Sequence, residues 1–131
     1  MASRILVIDD DQAILDLYCM LLESEGYEVS ASLIAYEQLA DIEALHPDLI
    51  ILDIKLGDQY DGFLLLQKLK LYRPTKDIPV ILCTAAVQVM QEQEEILRQK
   101  HIPLIYKPFD LDELLQVVHQ FLPPASTYEH D

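Results

Sequence analysis

Positive charge is scarce in this chain: nine Lys and Arg stand against 23 Asp and Glu, a formal net charge of −14 over 131 residues. Such a field repels phosphate backbones and anionic lipid headgroups, so neither nucleic acid nor a membrane surface is expected as a direct partner. Cysteine is scarce too. Cys19 falls in a helical pattern and Cys83 in an apolar strand pattern, which reads as two buried free thiols rather than a disulfide. Also missing is any apolar run of the roughly 18 residues a membrane span needs. No amino-terminal stretch combines a positive start, an apolar middle and a small-residue cleavage site, so the expected location is the cytoplasm. No internal repeat is visible, and the histidines at 46, 101, 119 and 130 lack metal-ligand spacing.

What is present is apolar material. Hydrophobic residues make up 51% of the chain, enough for one core, and two domains would not fit. Short apolar runs alternate with longer segments of helical period: "RILVID" (4 to 9), "YEVSAS" (27 to 32), "DLIILD" (48 to 53), "IPVILCT" (78 to 84) and "IPLIY" (102 to 106). The first, third and fourth are nearly continuously apolar, as strands covered on both faces should be, while the second alternates like an edge strand. This alternation predicts an α/β domain with parallel strands and crossover helices over residues 1–122. The remaining residues, 123–131 ("PPASTYEHD"), lack apolar periodicity and are expected to form a flexible tail, or the stub of a linker if a longer natural chain was cut.

Residues 12 to 25 carry Ile14, Leu15, Tyr18, Leu21 and Leu22 on one stripe, and Gly26 follows where a left-handed helix cap is expected. Residues 111 to 122 repeat the pattern, with Asp110 and Glu113 as a predicted capping pair. Two more helices are predicted over 36 to 45 and 63 to 72. A fifth, over 87 to 100, has a thin apolar stripe, which implies the lowest local stability. Tyr18, Tyr27 and Tyr36 read as core edge or exposed rim.

In an open parallel sheet, ligands bind beyond the carboxyl ends of the strands, where strand order reverses. The residues at those ends are Asp9 and Asp10 after the first run, Asp53 at the third, Thr84 at the fourth and Lys107 after the fifth; the second run contributes none. If the order is 2-1-3-4-5, the first and third strands are neighbours and their carboxylates crowd together. Two carboxylates about 5 Å apart repel by roughly 3 kcal/mol at an effective dielectric of 20. A hard divalent ion such as Mg²⁺, or Mn²⁺, is the natural remedy, because it takes carboxylate oxygens, waters and a phosphate. Metal, hydroxyl and ammonium around one carboxylate suit a phosphoryl group in transfer. Asp11 reads instead as a helix cap.

Four segments, "ILVIDDD" (5 to 11), "PDLIILDIKLGDQYDG" (47 to 62), "VILCTA" (80 to 85) and "YKPF" (106 to 109), each at a strand end, are highly specific in this order. With them the chain resembles the receiver domain of two-component response regulators over residues 4 to 122. The resemblance implies a doubly wound, five-stranded, flavodoxin-like parallel sheet of order 2-1-3-4-5 in three α/β/α layers. It implies that Asp53 is the phosphoacceptor, loaded by a sensor histidine kinase or a histidine phosphotransfer protein. Asp9, Asp10, Asp53 and the backbone carbonyl of Lys55 would hold the metal. Thr84 and Lys107 would bind the phosphoryl group, and the bond to Pro108 would be cis. Catalysis would be limited to self-phosphorylation and autodephosphorylation through Asp53, Thr84 and Lys107. Signalling would run from the face of the fourth helix, fifth strand and fifth helix to a downstream protein partner, with a phosphorylation-dependent homodimer among the options.

Departures accompany the matches. Leu104 stands where the family commonly has a switching aromatic, with Tyr106 on the same strand parity. Gly57 replaces a usual proline, Gly62 falls one residue later than usual, and Lys55 lies near the route of an attacking water. Leu64 and Leu71 leave an apolar strip on the third helix. Two other readings stand beside the receiver. One is a receiver-like interaction module independent of phosphorylation. The other is a phosphatase of the haloacid dehalogenase type, which would want an acid at position 55, where Lys55 stands.

Overall fold

The computed structural model describes residues 2–33, 39–54, 61–85 and 90–123. The five apolar runs form one parallel sheet of β1 (Arg4–Ile8), β2 (Glu28–Ser32), β3 (Leu49–Asp53), β4 (Val80–Thr84) and β5 (Leu104–Tyr106), in the order β2-β1-β3-β4-β5. Among the described residues the helices are α1 (Gln12–Ser24), α2 (Leu39–Leu45), α3 (Asp61–Leu71), α4 (Glu94–Gln99) and α5 (Leu111–Phe121). This is the doubly wound α/β arrangement expected from the sequence, with strand order reversing between β1 and β3.

Burial follows strand position. Every residue of β3 and β4 is buried, whereas β2 at the edge exposes most of its side chains. The period-two alternation of the strands then divides the apolar residues between two cores. Leu6, Ile8, Leu52 and Leu82 pack with Ile42 of α2, Leu66 of α3 and Leu97 of α4. Ile5, Val7, Ile51 and Ile81 pack on the other side with Leu15 and Leu22 of α1 and Leu114 and Val118 of α5. Each such aliphatic side chain stabilises the fold by about 1.5–3 kcal/mol. No helix among the described residues is long and apolar enough to cross a membrane.

Helix ends show which local signals operate. Asp11 caps α1, its carboxylate accepting from the backbone N–H of Ala13 at 2.9 Å and of Ile14 at 3.4 Å. Gly26 closes that helix at φ 94°, a conformation a Cβ would disfavour. At α5 Asp110 occupies the cap position, but its side chain makes no capping hydrogen bond, so the predicted Asp110–Glu113 pair does not form. Packing holds α5 instead: Leu114 and Val118 are fully buried, and the Tyr27 hydroxyl donates to the Leu122 carbonyl at 2.7 Å.

Three expectations need correction or limits. Tyr18 and Tyr27 are buried rather than at a rim, because the stripe of α1 and the turn after it face the sheet. Cys83 is buried, but Cys19 is only partly so, lying at the edge of that stripe; both thiols are free. Of the helix expected over 87 to 100, positions 87–89 lie outside the described residues, Met90 and Gln91 are helical, and α4 follows over Glu94–Gln99 after a turn at Glu92 and Gln93. Tyr36, Lys55, Gly57 and residues 124–131 of the expected tail lie outside the described residues.

Candidate functional site

The carboxyl ends of β1, β3 and β5 converge. Register pairs Ile8 with Leu52, so the next residues, Asp9 and Asp53, stand side by side. Asp9 is held rigidly: its N–H donates to the Ser32 carbonyl at 3.1 Å, and its Oδ1 accepts from the Asp11 N–H at 3.0 Å. Asp9 is fully buried, Asp53 is 6% exposed, and Asp10 is exposed. One carboxylate oxygen from each of the three lies within 4.8 Å of the others.

Lys107 supplies the countercharge. Its Nζ donates to Asp9 Oδ2 at 2.6 Å and to Asp53 Oδ2 at 3.3 Å. Burial works to lower its pKa, but the hydrogen bond to Asp9 and the charges of Asp53 and Asp9 outweigh it and hold the ammonium above the usual lysine value. Strand alternation explains the reach. Position 107 continues the parity of Ile105, whose side chain belongs to the same core as Val7 and Ile51, the parity of Asp9 and Asp53. The Lys107 N–H donates to the Thr84 carbonyl at 2.8 Å, and the Lys107–Pro108 peptide bond is cis.

Thr84 alternates onto the opposite parity and is fully buried. In register with it stands Tyr106, whose hydroxyl donates to Glu94 of α4. Burial first, then that hydrogen bond, pushes the Tyr106 phenol up to about 12. Leu104 is in register with Leu82 and packs against the core rather than reaching α4 through a polar tip. The backbone carbonyl of Lys55, expected as a metal ligand, falls outside the described residues.

Several contributions to the site were not legible in the sequence, that of Gly62 included, which stood there only as a glycine one residue later than usual. Gly62, at the start of α3, donates its N–H to the Ile54 carbonyl at 3.0 Å, and a Cβ there would lie 1.9 Å from the Asp53 carbonyl oxygen. Only a glycine lets the helix pass so close behind the carboxylate. Ser32 of β2 anchors Asp9 through its carbonyl, a backbone role that carries no side-chain signature. Beneath the acids, Tyr18 stacks on Phe109 with centroids 6.1 Å apart and planes at 18°. Cys83 pairs in register with Asp53, and burial pushes its thiol up to about 12. Burial first, and then the Cys83 thiol, hold the Tyr18 hydroxyl well above the usual phenol range. This dry floor lowers the local dielectric, which strengthens both the repulsion among the acids and their attraction to a cation.

Three converging carboxylates suit a hard divalent cation with oxygen ligands. Beside them stand a charged amine and, one strand away, a hydroxyl, a set that can stabilise a multi-oxygen anion.

Comparison with known proteins agrees with this geometry. The chain matches the response regulator receiver domain model over residues 5–119. It is 40% identical over 119 residues to the DNA-binding dual master transcriptional regulator RpaA of Synechocystis, covering 91% of this chain and 48% of that protein. It is 31% identical over 128 residues to sporulation initiation phosphotransferase F of Bacillus subtilis, covering 96% of this chain and 98% of that one. The chain thus spans about half of the first relative (48%) and nearly all of the second (98%). Among solved structures, a CheY-like response regulator receiver domain protein from Methanospirillum hungatei superposes with a TM-score of 0.77 at 36% identity, covering 92% of this chain and 93% of that one.

Proposed function

The chain belongs to the response regulator receiver domain family, and from that premise we propose that it is a receiver whose Asp53 takes a phosphoryl group from a sensor histidine kinase or a histidine phosphotransfer protein. A single observation carries this reading: Asp9, Asp10 and Asp53 offer oxygens within 4.8 Å of one another while Lys107 bridges two of them. In the transfer an Asp53 oxygen bonds to phosphorus as the P–N bond of the phosphohistidine breaks. The electron pair leaves with the imidazole, which takes up a proton.

Asp9, Asp10 and Asp53 would hold Mg²⁺ or Mn²⁺, with the Lys55 carbonyl completing the set. When bound, the ion offsets carboxylate repulsion and draws charge from the phosphoryl oxygens. Lys107, now shared between Asp9 and Asp53, is within reach of a group built on Asp53 and would pair with its oxygens. Thr84 would turn its hydroxyl to the same group. Catalysis stops there, at loading and loss of the phosphoryl group on Asp53.

Signalling would pass to a protein partner through the face of α4, β5 and α5. Glu94, Arg98, His101, Leu104 and Phe121 line a concavity of about 640 Å³ on that face. The Tyr106–Glu94 hydrogen bond joins β5 to α4 next to Thr84, so a shift of Thr84 would be felt there. With a net charge of −14 the domain itself is a poor ligand for nucleic acid, and protein contacts are its natural output.

The test is mass spectrometry after incubation with acetyl phosphate and Mg²⁺. A phosphoryl adduct that needs the metal and disappears in Asp53→Asn is the expected result. No adduct under varied conditions would leave a phosphorylation-independent interaction module. Sustained turnover of p-nitrophenyl phosphate would point to a phosphatase.

A further inference from the structure

Between α3 and α4 lies a second cleft, of about 600 Å³, which shares Ile102 with the concavity just described. Leu66, Leu97 and Ile102 form its floor, and Leu71 and Ile96 form its lips. The lips are exposed to an unusual degree, Leu71 by 86% and Ile96 by 48%, and Leu64 extends the strip along α3 at 50%. Among the described residues, the only charged ones lining the cleft are cations, Lys70 and Lys100. In a chain with 23 acids and nine bases, a cleft whose described lining residues include no acid is a local reversal of sign.

On the α3 side the reversal extends beyond the lining, whereas the start of α4 carries Glu92, Glu94 and Glu95. From position 62 to 79 the chain carries Lys68, Lys70, Arg73 and Lys76 against Asp77 alone. Lys70 donates to the Ile78 carbonyl at 3.0 Å, so its ammonium stays fixed at the cleft edge while its stem covers apolar surface. Lys68 and Lys70 also suit the carboxyl end of α3. Lys100, the C-cap residue of α4, suits that helix end in the same way, and Arg73 lies two residues beyond the end of α3.

We infer that the α3–α4 cleft is a docking site for an acidic amphipathic helix of another protein, distinct from the α4-β5-α5 output face. The lining positions recur as 63, 66, 67, 70 and 71 on α3 and 93, 96, 97 and 100 on α4, a spacing of three and four that forms a trough between two helices. A third helix laid in such a trough buries its apolar stripe on the leucines. Glutamates flanking that stripe would meet Lys70 and Lys100, while a basic helix would be repelled there and drawn to the acidic remainder of the surface.

The experiment titrates the isotope-labelled full chain with a synthetic peptide of about 18 residues, or five helical turns, carrying leucine at helical spacing and glutamate elsewhere. The expected result is saturable binding with amide shifts centred on Leu66, Leu97 and Ile102. Lys100→Glu and Leu71→Asn, both at exposed positions, should each weaken binding at least about fivefold with unchanged melting temperature. Equal binding of a peptide with lysine in place of glutamate, shifts centred elsewhere, absence of saturable binding, or indifference to both variants would overturn the proposal. Self-association of the chain without peptide, broken by Leu71→Asn, would overturn it in favour of a second copy as the occupant.

Discussion

Lys107 Nζ lies 2.6 Å from Asp9 Oδ2, so a base delivered by the fifth strand is tied to an acid delivered by the first, across 98 residues of sequence. The same ammonium reaches Asp53 at 3.3 Å, and both carboxylates are almost wholly shielded from water. The cation thus occupies the place where, on the reading above, charge must later be exchanged with a metal and a phosphoryl group.

Lys107→Met keeps the apolar stem and removes the ammonium that Asp9 and Asp53 share. We expect a loss of about 3 kcal/mol in denaturant unfolding without metal, with Mg²⁺ restoring more stability to the variant than to the wild type. The pH dependence has a defined sign. The folded pKa of Lys107 lies above its unfolded value of 10.5, so its contribution is fully present below 10.5 and fades as pH rises through the folded value. The gap between wild type and variant due to this group should therefore stay level from neutral pH to 10.5 and shrink above it.

Mg²⁺ should stabilise the wild type by mass action, by about 2.7 kcal/mol at a hundredfold excess over its Kd. Asp10→Asn removes one of the three convergent ligands at an exposed position and should abolish most of that gain. Thermal melts at graded Mg²⁺ decide it: equal responses in both proteins would place the ion elsewhere.

Gly62→Ala puts a methyl group 1.9 Å from the Asp53 carbonyl oxygen and 2.8 Å from that of Ile54, both backbone atoms that cannot turn aside. A cost of about 3 kcal/mol is expected, together with slower phosphorylation of Asp53, because relief requires the strand end and α3 to part. Gly26→Ala, strained only by its φ, should cost about 1 kcal/mol and leave phosphorylation unchanged. Denaturant unfolding and the acetyl phosphate assay on both variants provide the contrast.

The Tyr106 phenol should titrate near 12, seen as the difference in phenolate absorbance between the wild type and Tyr106→Phe. Glu94→Gln should move that midpoint down towards 10.0, since the carboxylate is one of the causes of the shift. Because the folded pKa is the higher one, the stabilising effect of this contact persists below 10.0 and is lost as pH rises through about 12. An unmoved midpoint in Glu94→Gln would mean that burial alone sets it.

Much of this architecture is written in residue periodicity. Uninterrupted apolar runs marked β1, β3 and β4 as doubly covered, and the alternation in "YEVSAS" marked β2 as an edge, because burial on one or both faces constrains every residue or every second one. The strand-end positions of Asp9, Asp10, Asp53, Thr84 and Lys107 followed from those runs, and four short motifs pointed to the family. Asp11 as a cap was legible for the same reason: it acts on its own neighbours.

What the chain order could not carry were contacts fixed by packing between distant segments. That Tyr18 and Tyr27 are core residues depends on how closely α1 lies on the sheet. That Asp110 does not cap α5 depends on burial making the cap unnecessary. Gly62 matters because a helix passes within contact distance of the Asp53 carbonyl, and Tyr106 meets Glu94 because α4 lies beside β5 in the fold. The basic trough between α3 and α4 exists only once two helices 30 residues apart are laid side by side. Local sequence sets the period of each element, but the distances between elements are settled by the joint packing of all of them, and chemistry that depends on those distances appears only in the fold.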